Sequence, residues 1–109
     1  MTIDGFWVVE FKSQQVSGSG VAIFSDGKMY GGETGFYYLG SYVVDEGILK
    51  ARVSIRNFDP SLPIGFGIAG DFDMDVSAMW RGDEIKGTAV ISNHPEYSLG
   101  IRMLKKADF

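Results

Sequence analysis

The sequence predicts an all-β protein, an antiparallel up-and-down β-barrel of about eight strands. Apolar and polar residues alternate with a period of two in segment after segment, and none sustains helical periodicity. Short turn signals such as Asp26-Gly27 and Asp45-Glu46-Gly47 separate these segments. Glycine is abundant (15) and proline scarce (3), which suits strands that bend better than a disordered linker. Turns this short favour a meander over a Greek key, and a meander that closes on itself leaves no exposed edge.

Taken in order, Gly5 to Ser13 sets Trp7, Val9 and Phe11 on one face, the core face. After a polar turn at 14–17, Gly18 to Ser25 forms a second strand and Asp26-Gly27 reverses the chain. Lys28 to Gly32 is a short third strand, Glu33 to Gly35 a turn, and Phe36 to Val44 an aromatic fourth strand. Glycines among the aromatics of 26–42 mark a sheet that curves, with rings covering the bared backbone. Ile48 to Asn57 alternates cleanly, with Leu49, Ala51, Val53 and Ile55 inward. Phe58 to Gly70 breaks the pattern: it is apolar yet rich in proline and glycine, and reads as a lid or a contact surface. Asp71 to Trp80, Glu84 to Ser92 and Tyr97 to Lys106 complete the strands. Residues 45–55 and 81–91 share a turn, then an apolar residue, a lysine and a small residue, an echo that reads as shared hairpin chemistry. The architecture expected is a single domain over residues 1–109, a small calycin-like barrel.

Composition narrows function. The net charge of −4 and pI near 4.8 argue against direct nucleic-acid binding, which calls for a basic face. With no cysteine there is no disulfide, thiolate metal site or cysteine nucleophile. The first residues do not read as a signal peptide, and no apolar run approaches the ~20 residues of a spanning helix. A soluble cytoplasmic protein is expected.

No constellation of residues points to catalysis. Asp71, Asp73 and Asp75 hint at a calcium loop, but the apolar residues between them suit a strand with its acids outward. Lys50, Arg52 and Arg56 point outward from the preceding strand, so a cross-strand ladder of acids and bases is expected, each pair worth roughly 0.2–1 kcal/mol. His94 is the only histidine and reads as a solvated turn residue. Glu10, Glu33 and Glu84 are isolated carboxylates, and the glycines at 31, 32 and 35 lack the GK[ST] and following helix of a phosphate loop. No catalytic residue, metal site or cofactor is expected.

The order of motifs resembles the GrlR family, small bacterial negative regulators of type III secretion. The resemblance is carried by Asp4-Gly5 before an aromatic strand ending in Phe11, then Gly18-x-Gly20, Asp26-Gly27-Lys28-Met29, Gly31-Gly32-Glu33 and Tyr37-Tyr38-x-Gly40. It is densest over residues 4–57 and looser through the Pro63 loop and the strand from Asp71. It implies a lipocalin-related barrel, a homodimer, no enzymatic activity, and repression by sequestering a transcriptional activator rather than by binding DNA. The family's acidic loop of alternating Glu and Asp is shortened here to Asp45-Glu46-Gly47, so the resemblance bears on the fold more than on the partner.

Two expectations about function follow. A regulatory protein would meet its partner through Asp45 and Glu46 and through Phe58, Leu62, Ile64 and Phe66 of the apolar loop. Alternatively, the barrel would hold a small apolar ligand against Trp7, Phe11, Met74, Trp80 and Met103.

Overall fold

The computed structural model describes residues 2–14, 16–59, 61 and 71–109, and these residues form strands, turns and bends without a helix. The strands are β1 (Gly5–Lys12), β2 (Ser17–Ser25), β3 (Lys28–Glu33), β4 (Phe36–Asp45), β5 (Ile48–Asn57), β6 (Phe72–Arg81), β7 (Glu84–Ile91) and β8 (His94–Asp108). Each pairs antiparallel with the next, and β8 returns to β1, so the sheet closes into an eight-stranded up-and-down barrel. Closure gives every strand two neighbours and removes the edges that would template association.

Local sequence explains the connections. Asp26-Gly27 and Glu46-Gly47 both have positive φ at each residue, which is the backbone that two-residue hairpins of right-handed twist require. Each turn is bonded to the strand beyond the one it opens: the Tyr42 amide of β4 donates to the Gly27 carbonyl, and the Trp80 amide of β6 to that of Gly47. Within the sheet, Gly31 is a close-approach position. A Cβ there would lie 2.2 Å from the Val21 carbonyl oxygen and 3.1 Å from the Tyr38 ring, so a side chain would push β2 and β3 apart.

The inward residues follow the alternation in the sequence. Trp7 and Val9, Leu49 and Val53, Met74 and Val76, and Ile101 and Met103 are all buried. Outside, β5 and β6 carry the expected ladder. Arg52 meets Asp75 at 3.3 Å, Arg56 meets Asp71 at 3.3 Å, and Ser54 donates to Asp73 at 2.9 Å. Lys50 donates to Ser77 instead of an acid, because the register sets those two residues opposite each other.

Several strand ends differ from the sequence reading by a residue or more, and two of these differences move residues weighed above. Glu33 is not a turn residue. It pairs with Phe36 across the shorter turn Thr34-Gly35 and so ends β3 on the inward face, two residues beyond Gly31. His94 is likewise not in the turn. It opens β8 opposite Ile91, with its Nδ1 3.4 Å from Glu96.

Candidate functional site

The barrel has two unlike ends. At the first lie the β2–β3, β4–β5 and β6–β7 turns, with both ends of the chain as described. Here Trp7 and Phe24 are fully buried and meet edge to face, and Tyr42 also meets Phe24 edge to face. The segment before β1 is tied across this end. Ile3 is buried and accepts a 2.9 Å bond from the Trp7 indole; Asp4 accepts one from the Tyr42 hydroxyl at 2.9 Å. Burial, and then the bond to Asp4, push the Tyr42 phenol above its ordinary value. Lys105 stands opposite Trp7 in the β1–β8 register, its Nζ 5.9 Å from the Trp7 ring centre. Its ammonium donates to the Thr2 carbonyl at 2.7 Å and pairs with Asp108, and its side chain is 3% exposed.

The other half of the interior is hollow. A cavity of about 420 Å³ extends from the middle of the barrel toward the β1–β2, β3–β4 and β5–β6 connections. Its wall includes Phe11, Phe36, Phe72, Met74, Leu99 and Met103. Ala22, Ala51 and Ala89 take part where larger side chains would fill the space. Ser17, Glu33, Thr34 and Tyr38 are the residues of the wall with polar side chains. The Tyr38 hydroxyl donates to Glu33 Oε1. Burial raises the Glu33 carboxyl above its ordinary value and outweighs the Tyr38 bond, which acts the other way. Burial and the neighbouring carboxylate both push the Tyr38 phenol well up.

The residues expected to line a ligand pocket therefore divide. Phe11, Met74 and Met103 line the cavity. Trp7 does not: it belongs to the filled end, against Phe24 and Lys105. Trp80 does not either, since its position near the β6–β7 turn lets its indole donate to the Gly82 carbonyl at 2.8 Å. Of the residues expected to meet a partner, the described ones lie at opposite ends of the barrel. Asp45 and Glu46 are exposed at the filled end, whereas Phe58 follows β5 at the hollow end, where its ring lies 6.3 Å from Tyr37. Leu62, Ile64 and Phe66 lie outside the described residues. Glu33 and Tyr38 are the site residues that the sequence reading missed. Continuing the period of two from Met29 through Gly31 would have placed Glu33 inside.

Geometry thus defines a class: an all-β, eight-stranded up-and-down barrel consistent with the calycin fold, filled at one end and hollow at the other. Compared with known proteins, the sequence matches no family model and no curated protein.

Proposed function

We propose that this protein is a non-enzymatic binding barrel that takes one small apolar molecule into its hollow half. The observation that carries this reading is the cavity of about 420 Å³ and its largely aliphatic and aromatic wall. Small-molecule sites run to roughly 300–1,000 Å³ and are lined in this way, with few polar groups. Eight-stranded barrels either fill with side chains or hold one ligand, and a hollow half beside a filled one supports the second use. Titration with an apolar fluorescent probe tests it. Saturable binding of one probe per barrel, lost in a folded Ala89→Phe variant, is the expected result. A folded wild-type protein that neither retains a ligand in native mass spectrometry nor binds the probe overturns it.

A second reading, a regulatory protein that binds another protein, is favoured by the outer wall. Val21, Tyr30, Tyr37 and Leu39 are 40–49% exposed on β2, β3 and β4. The register sets Ile23, Tyr30 and Leu39 abreast, with Val21 and Tyr37 abreast in the next row across Gly32. Contiguous exposed apolar surface of this kind marks association sites. It supports a homodimer or a partner such as a transcriptional activator, as in the GrlR-like reading of a cytoplasmic negative regulator of type III secretion. Light scattering on wild type and a Tyr30→Glu, Leu39→Glu double variant tests the dimer. A wild-type monomer at all accessible concentrations removes that part of the reading.

A further inference from the structure

We propose that the cavity selects an apolar molecule whose polar end is a cationic hydrogen-bond donor, a primary amine, held at Glu33 and Tyr38. This rests on the cavity being a ligand site and adds which ligands it prefers. Among the described residues Glu33 is the one acid of a wall whose other polar side chains are Ser17, Thr34 and Tyr38, and no lysine, arginine or histidine lines it. Residues 60–70 bring none by sequence. Lys12 and Arg56, near the ends of β1 and β5, are on the outward register, Arg56 paired with Asp71.

Gly20 on β2 lies against the pair: a Cβ there would meet the Gly32 carbonyl oxygen at 2.6 Å, and the Glu33 Cβ and the Tyr38 hydroxyl at 3.2 Å each. Tyr38 donates to Oε1 of Glu33, and among the described residues no donor reaches Oε2. A half-buried carboxylate with one neutral donor and no cation is incompletely compensated, which is why burial dominates its titration. An ammonium offers three donors, enough for Oε2 and for the Tyr38 oxygen together, and supplies the missing charge. An alcohol supplies a donor without charge. A fatty acid brings a second carboxylate to the first, and like charges at this distance oppose binding.

Calorimetric titration of wild type and Glu33→Gln with decylamine, decanol and decanoate tests this, because the three share a tail. The expected order in wild type is decylamine, decanol, decanoate, with decylamine tighter than decanoate by about tenfold or more. Glu33→Gln should bring decylamine and decanoate to within about threefold of each other. Decanoate binding wild type as tightly as decylamine overturns the head-group selection and leaves the ligand site standing. So does an amine preference that survives in Glu33→Gln. If none of the three binds folded wild type, the ligand site falls and the selection with it. Thermal unfolding of Glu33→Gln, with an unchanged circular dichroism spectrum, confirms that the comparison is between folded proteins.

Discussion

The two halves of the barrel use the same alternation to opposite ends. In the filled half, the inward positions carry Trp7 and Ile85, both fully buried, and a lysine whose charge is turned back onto the chain, while Phe24 packs on Trp7 and also forms part of the cavity wall. In the hollow half, small residues such as Ala22 and Ala89 stand among rings and methionines that surround a space without filling it. Interiors are normally packed to the density of organic crystals, and unfilled volume forfeits dispersion contacts. The filled half is where packing contacts are concentrated, and the hollow half forfeits part of them.

Substitutions can break this contrast. The largest effect is expected for Trp7→Ala, a loss of about 3–5 kcal/mol in urea unfolding. Phe11→Ala should cost clearly less, because one side of Phe11 already borders empty space. Equal costs would mean that the two halves are packed alike. Lys105→Met keeps the stem over Trp7 but removes the donor to the Thr2 carbonyl and the pair with Asp108, with an expected loss of about 1–3 kcal/mol.

Adding volume sharpens the contrast from the other side. Ala78→Leu should destabilise by about 1–3 kcal/mol, since Ala78 is buried away from the cavity and already beneath Gly87. Ala89→Leu projects into the cavity and should cost less than about 1 kcal/mol.

Titration of Glu33 gives a smaller, signed effect. Its folded value is raised above the ordinary 4.5, so the folded state holds the proton more tightly than the unfolded chain. The resulting stabilisation is complete below the unfolded value and is lost as pH rises through the raised folded value. Glu33→Gln cannot titrate there. Its stability relative to wild type should therefore rise across that window, measured by urea unfolding at a series of pH values. The smallest effect is expected outside the barrel. A double-mutant cycle on Arg52 and Asp75, both well exposed, should return about 0.2–1 kcal/mol and leave ligand binding unchanged.

Much of this structure was legible in the residues, for a physical reason. Successive side chains of a strand point to opposite faces, so the pattern in 48–57 and 71–80 is a direct record of inside and outside. The same period carried the ladder of Arg52 and Arg56 against Asp75 and Asp71. It was broken off at Glu33, which was read as a turn residue, and it was not carried past Met103 to Lys105. Each is inward because a partner waits there: Tyr38 for the carboxyl, the Thr2 carbonyl and Asp108 for the ammonium. Those partners are distant in the chain or on another strand, and no local pattern announces them.

By itself, then, the sequence determined the strands, their turns and which side of each strand faces inward, because these depend on neighbours along the chain. Only the tertiary structure decided that the interior is filled around Trp7 and hollow beside Phe11. That difference depends on the summed volume of side chains from eight strands at each level of the barrel. It depends too on β8 closing against β1, which brings Lys105 over Trp7.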